Sequence, residues 1–219
     1  MFESLQPASA DPILGLIAEY RNDLRMEKID LGVGVYRTTE GNTPVLQVVK
    51  RAEQTLIDEQ DSKAYIGTAG AADFNAVMQE LIFGESSPAD RLVTIQAPGG
   101  SGSLRVAAGM ILRASPAASV WVSEPTWANH APLLAGAGLS LKPYPYYDAL
   151  NHVIKADDML SVLKDAPAGD VVLLHACCHN PSGLDLSNDE WCALTDVIVD
   201  RNLIPFIDIA YQGFADGLD

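Results

Sequence analysis

The stretch V-V-L-L-H-A-C-C-H-N-P-S-G, residues 171–183, and the stretch I-P-F-I-D-I-A-Y-Q-G-F, residues 204–214, decide the fold between them. Val171 to Leu174 and Ile204 to Ile209 are short apolar runs bounded by turn residues, which reads as two buried strands. Asn188 to Arg201 carries a helical period between them. Strand, crossover helix, strand is a βαβ unit, and such units build parallel sheets with right-handed connections. Asn180 follows the first strand, and Asp208 with Tyr211 follows the second. These polar residues fall at the carboxyl edge, where open parallel sheets take their ligands.

The rest of the chain is consistent with one large α/β domain and a small appendage. Its 219 residues are 48% hydrophobic and 20% charged, an ordinary globular balance. A formal charge of −15 argues against a nucleic-acid partner, which needs a basic face to displace counterions. The amino terminus, M-F-E-S-L-Q-P, has no basic segment leading into an apolar one, and no later run reaches membrane-span length. No membrane partner and a cytoplasmic location are expected. Cys177, Cys178 and Cys192 make no disulfide framework, and the adjacent pair cannot bridge without strain, which fits a reducing compartment.

Taken in order, residues 1–10 lack periodicity and read as an arm. Asp11-Pro12 has the form of an N-cap followed by proline at the first helical position, opening a helix from Pro12 to Tyr20. Ile29 to Tyr36 alternates around Gly32 and Gly34, which marks either a close backbone approach or a simple turn. Helical patterns cover Pro44 to Ile57 and Ala72 to Phe83, with Tyr65 between them, by itself a packed aromatic. A strand from Leu92 to Gln96 runs into a small-residue loop, Gly99 to Ser103, and then a helix through Arg113. That loop is either a phosphate cradle at a helix amino terminus or a plain strand-to-helix turn. Val120 to Ser123 is a strand, and Trp127 and His130 follow it; a packed indole and a capping histidine are the plain readings. Leu139 to Tyr147 reads as a strand and Ala156 to Leu163 as a helix. Strands and helices in alternation imply a doubly wound, mostly parallel sheet.

His175, Cys177 and His179, with Cys178 and Cys192 near, invite a metal reading. Same-face residues of a strand lie roughly 6–7 Å apart, whereas ligands at about 2.0–2.3 Å from one zinc must crowd closer than that. The C-C-H spacing also lacks the gap of metal knuckles. No metal is expected, and histidines that orient a neighbouring polar site are the better account of His175.

These segments, read together, resemble the class I aminotransferases, in the branch of aspartate and aromatic amino-acid aminotransferases. The resemblance rests on D-P-I-L-G-L (11–16), L-G-V-G-V-Y (31–36), G-G-S-G-S-L-R (99–105), W-V-S-E-P-T-W-A-N-H (121–130), Y-Y-D-A (146–149), H-A-C-C-H-N-P-S-G (175–183) and D-I-A-Y-Q-G-F (208–214). It implies a pyridoxal 5'-phosphate (PLP) enzyme, with residues 1–10 an arm, 11–43 part of a small domain and 44–219 the large, cofactor-binding domain. It assigns Asp208 to the pyridine nitrogen, Asn180 and Tyr211 to the ring's phenolic oxygen, and Trp127 to stacking on the ring and to a substrate carboxylate. Gly99, Gly100 and Ser101 would cradle the cofactor phosphate, and Tyr65 would reach the phosphate in the partner subunit, so a homodimer is implied. Gly34 and Asn180 would meet substrate, His130 would orient Asp208, and His175 would stand with it behind the residues that touch the cofactor. Cis peptides are implied at Glu124-Pro125 and Asn180-Pro181.

One departure is large. The family's Schiff-base lysine lies after the position matched by Asp219, so no catalytic residue is assigned here, and Lys28, Lys50, Lys63, Lys142, Lys155 and Lys164 stand in unrelated contexts. The expected activity is transfer of an amino group between aspartate or an aromatic amino acid and 2-oxoglutarate, in a longer protein of which this chain is the amino-terminal part. The chain alone is expected to be inactive. The rival readings are a non-catalytic binding protein on the same scaffold and a nucleotide-binding domain using the Gly99 to Ser103 loop.

Overall fold

A computed structural model of the chain describes residue 3, residues 12–30, residue 32 and residues 34–84, 88–215, 217 and 218. The arm expected over residues 1–10 (Glu3 apart) and the cap at Asp11 lie outside the described residues. The chain forms two compact units, Met1–Tyr65 and Ile66–Asp219. The boundary expected at residue 43 falls inside the first of these units.

The first unit contains α1 (Pro12–Asn22) and α2 (Gln47–Glu59). Lys28 closes the turn after α1, its Nζ donating to the carbonyls of Tyr20 and Asp23, each at 2.6 Å. Within Ile29 to Tyr36, the described residues 29, 30, 32 and 34–36 form no strand or helix. A turn follows, in which the amide of Gly41 donates to the Thr38 carbonyl at 2.9 Å. Helix α2 begins three residues later than the pattern over Pro44 implies. Leu46 holds an extended ψ of 141° and supplies no capping side chain.

The second unit is the layered one. Its elements are α3 (Ala72–Phe83), a 3-10 turn (Ala89–Arg91), α4 (Gly99–Ala114), β1 (Ser119–Glu124), α5 (His130–Ala135), β2 (Ser140–Pro145), the short hairpin β3 (Tyr147–Asp148) and β4 (Val153–Ile154), α6 (Ala156–Lys164), β5 (Val171–His175), α7 (Asn188–Asp200) and β6 (Ile204–Asp208). The main sheet is parallel, in the order β2-β1-β5-β6. Strand β5 has a strand on each side, and its side chains divide between two cores. Val172 and Leu174 join Met159, Leu163, Leu194 and Val197 from α6 and α7. Val171 and Leu173 join Ala108 and Leu134 from α4 and α5. Burial on both faces is why the strand reads as an unbroken apolar run rather than an alternating one.

Helix α7 starts where the sequence caps it. The Ser187 hydroxyl accepts from the Glu190 amide at 3.4 Å, and the Glu190 carboxylate accepts from the Ser187 amide at 2.7 Å, a reciprocal capping box.

Two expected elements take other forms. Leu92 to Gln96 keeps its period of two, with Val93 88% and Ile95 52% exposed, but it is not a strand. Its polar groups bond sideways instead: the Gln96 amide to the Ala69 carbonyl at 2.9 Å, and the Thr94 carbonyl to Asn75 Nδ2 at 3.2 Å. A strand needs a ladder, and among the described residues none is offered. The strand expected over Leu139 to Tyr147 divides into β2 and β3, and the hairpin turns the chain back through Asp148, whose carboxylate accepts from the amides of Leu150 and Asn151.

At the amino edge of the sheet, buried Asp170 ties strands together. It accepts from the Ser119 amide at 2.9 Å and from Trp121 Nε1 at 2.9 Å, with Lys142 Nζ at 3.4 Å. Replacing it leaves two donors without an acceptor, at about 1–3 kcal/mol for each that stays buried. Asp170→Ala is expected to lower stability by about 2–4 kcal/mol, read as a lower urea midpoint with an unchanged slope. An unshifted midpoint would overturn this account of the edge.

Candidate active site

Two strand ends and one helix start converge on a cavity of about 150 Å³. Gly100 and Leu104 of α4, Trp127 from the segment after β1, His175 at the end of β5, Cys177, Cys178 and Asn180 beyond it, and Asp208, Ala210 and Tyr211 at the end of β6 line it. All belong to the second unit. The β5–β6 register pairs His175 with Asp208, so these two stand side by side at the carboxyl edge.

Asp208 is held from behind. Its Oδ2 lies 2.9 Å from Nε2 of His130, a ring with 0% exposure. Nδ1 of His130 lies 2.7 Å from the Thr126 hydroxyl. If that hydroxyl donates to Nδ1, the imidazole proton sits on Nε2 and points at the carboxylate. Trp127 meets the same imidazole edge-on, with ring centroids 5.3 Å apart.

His175 and His179 extend the cluster inward. His175 stacks on His130 at 5.1 Å and meets His179 edge-on at 4.4 Å. Burial, followed by the neighbouring His130, brings the His175 pKa down from 6.5 to about 4. Its Nδ1 is buried without a hydrogen-bond partner, which a neutral ring tolerates better than a charged one. His179 is pinned at both nitrogens, Nε2 to Ser123 Oγ at 3.0 Å and Nδ1 to Ser182 Oγ at 2.8 Å, and its face lies 3.9 Å from that of Tyr146. Burial, then His175, brings its pKa to about 4 as well.

Asp185 clamps the backbone that presents Asn180. Its two oxygens accept from the amides of Cys178 at 2.6 Å and His179 at 2.8 Å. The Gly183 amide then closes the turn onto the His179 carbonyl at 2.6 Å, with Gly183 at a φ of +69° that favours glycine. The Glu124-Pro125 and Asn180-Pro181 bonds are cis.

The expected loop from Gly99 to Ser103 is a correction: these residues form the first turn of α4. Small residues at a helix start satisfy the same sequence pattern as a loop, and Ser103 Oγ returns to the Gly99 carbonyl at 3.1 Å. Pro98 caps the helix without a side-chain hydrogen bond, so amides of the first turn have no side-chain partner there. Gly100 faces the cavity; Gly99 and Ser101 share its turn but are not among the lining residues. Gly34 and Tyr65 belong to the first unit, and Tyr65 is fully exposed there.

The metal set weighed from the sequence is not assembled, because Ser123 and Ser182 occupy both nitrogens of His179. His130, His175 and Asp208 instead place one ligand atom each within 4.8 Å of one another, yet His130 and Asp208 are already bonded to each other. Sequence reasoning passed over Thr126, four residues before His130, and Asp185, seven after Cys178. Spacing to a histidine and to the H-N-P turn was the signal for both.

The fold and this edge define an α/β protein whose sheet presents a carboxylate, an amide, a phenol and an indole to one cavity. The sequence profile of the family described as aminotransferase class I and II matches residues 26–219, and the chain belongs to that family. An aromatic-amino-acid aminotransferase of Pseudomonas aeruginosa is 48% identical over 221 residues, covering 100% of this chain and 55% of that protein. An aspartate aminotransferase of Escherichia coli strain K12 is 46% identical over 222 residues, covering 100% and 56%. The crystal structure of an aromatic-amino-acid aminotransferase of Burkholderia pseudomallei, covalently bound to pyridoxal phosphate, superposes with a TM-score of 0.96 at 41% identity, covering 100% of this chain and 55% of that one. The chain thus spans about half the length of these relatives.

The histidines set a pH dependence. Folded pKa values near 4 against 6.5 mean that the unfolded chain binds more protons between those limits. Stability is therefore full above about pH 6.5 and falls as pH drops toward 4. Denaturant midpoints measured from pH 7 to pH 4 are expected to decline through that window, and His179→Phe is expected to flatten the decline; a flat wild-type profile would contradict the assignment.

Proposed function

We propose that the protein containing this chain is a PLP-dependent transaminase. It moves an amino group between aspartate or an aromatic amino acid and 2-oxoglutarate. The observation that carries this reading is Asp208, fixed at 2.9 Å by buried His130 in a cavity that also holds Asn180, Tyr211 and Trp127. The donor set fits the cofactor group by group. A carboxylate suits a protonated pyridine nitrogen, an amide and a phenol suit its phenolic oxygen, and an indole offers a flat apolar face. The uncapped first turn of α4, presenting Gly100, suits a phosphate.

When bound, PLP supplies a protonated ring that takes up the electron pair released as the substrate Cα–H bond breaks. The chain's own residues keep that ring in the required state. Asp208 stabilises the positive charge on the ring nitrogen, and His130, backed by Thr126, prevents the carboxylate from rotating away. Asn180 and Tyr211 donate toward the phenolic oxygen and stabilise its negative charge. The apolar wall from Leu104, Trp127 and Ala210 restricts water around the cofactor. We extend the reading to a cytoplasmic homodimer in which Gly34 meets substrate and Tyr65 serves the partner subunit's site.

Adding PLP to the protein is expected to alter the cofactor's visible absorption. Asp208→Ala is expected to lower kcat by about 10²- to 10³-fold, the scale of losing one preorganised electrostatic partner, and Asp208→Glu to recover part of it. A full-rate Asp208→Ala enzyme would overturn the assignment. The 219-residue segment by itself is expected to give no transamination of aspartate or phenylalanine beyond that of free PLP, since among the described residues no lysine lines its cavity.

A further inference from the structure

Cys177 and Cys178 have no part in the mechanism above, yet both are half-buried and line the cavity. The third cysteine, Cys192, is exposed on α7. The pair follows β5 directly, where Cys178 takes a positive φ of 50° and its amide is fixed by Asp185 Oδ2 at 2.6 Å. The two cysteines are neighbours in sequence and line the same cavity, so the pair borders one space. Burial, then the neighbouring Cys178, raises the Cys177 pKa and keeps the thiol protonated.

A direct disulfide suits such a pair poorly. Neighbouring Cα atoms lie about 3.8 Å apart across a trans peptide, short of the roughly 4.4–6.8 Å that an unstrained disulfide spans. One additional atom between the sulfurs enlarges the ring and removes that conflict. A soft, trivalent centre with two exchangeable oxygen ligands is the matching chemistry, because thiolate sulfur prefers soft acceptors.

We propose that Cys177 and Cys178 form a dithiol site on the cavity wall that captures a trivalent organoarsenical, and that the captured group excludes the cofactor. Two As–S bonds form as two As–O bonds break. Both thiol protons leave with the oxygen as water, and arsenic stays trivalent, so no oxidant or reductant is required. The exclusion half rests on the PLP reading of the cavity, and the capture half does not.

The test uses the protein as its cells produce it, freed of cofactor and treated with one equivalent of phenylarsine oxide. Intact mass and peptide mapping are expected to find one phenylarsenic group on the peptide carrying residues 177–178. It should survive 2-mercaptoethanol and leave with 2,3-dimercaptopropanol, as a two-sulfur adduct does. Cys177→Ser and Cys178→Ala are each expected to lose the monothiol-resistant adduct, and Cys192→Ser to keep it. Mapping on the wild-type protein decides the matter even if a variant does not fold. A resistant adduct on another peptide, or none, overturns the proposal. With PLP present at about ten times its Kd, capture is expected to slow about tenfold, since only the free cavity reacts. Capture at 177–178 that is indifferent to PLP overturns exclusion alone. An apoprotein that leaves PLP absorption unchanged overturns the functional reading and leaves the capture result standing.

Discussion

The site depends on the register between β5 and β6. Parallel pairing runs from Val171 opposite Ile204 to His175 opposite Asp208, and side chains alternate between the faces of the sheet at every residue. A slip of one residue would turn Asp208 to the other face, away from His130. The register is fixed chiefly by β5, whose Val171 and Leu173 fill one core and Val172 and Leu174 the other. Four apolar side chains remote from the chemistry therefore determine which way a carboxylate points.

The same logic explains the buried polar groups. Ser123, His130, His179 and Asp170 are all nearly inaccessible, and each has hydrogen-bond partners. Asp170 binds the amino edge of the sheet, and the histidines bind the carboxyl edge. Tyr144 on β2, buried at 1% exposure, reaches across the sheet to β5 by donating to the Leu173 carbonyl at 2.9 Å. The sheet is thus apolar through its middle and polar at both rims, and the cavity opens at the carboxyl rim.

Much of this was legible in the sequence, for identifiable reasons. Ala72 to Phe83 is helical over the range its period implies, and β5 and β6 stand where their apolar runs do, because local pattern and tertiary environment agree there. Leu92 to Gln96 has a strand's period, but strand formation requires a second backbone, and that information is not local. Gly99 to Ser103 was ambiguous because small residues serve loops and helix starts alike. Asp208, Asn180 and Tyr211 were legible as strand-end polar groups, whereas Trp127 read as a packed indole until the family resemblance placed it at the site. The cluster of three histidines was not, since His130, His175 and His179 meet only after the crossovers close. Thr126 and Asp185 were hidden for a related reason: each acts on a neighbour in sequence, but its value depends on what that neighbour faces in space.

The ring of His179 has a consequence for how such proteins diverge. Ser123 on β1, Tyr146 before the hairpin and Ser182 in the Asn180 turn come from separate segments, yet all three contact that imidazole. None of them lines the cavity. A substitution at one alters the fit of the other two, so the three should change in concert with position 179 as lineages drift. Covariation among these positions would record the support of Asn180 even where the cavity-lining residues themselves never vary.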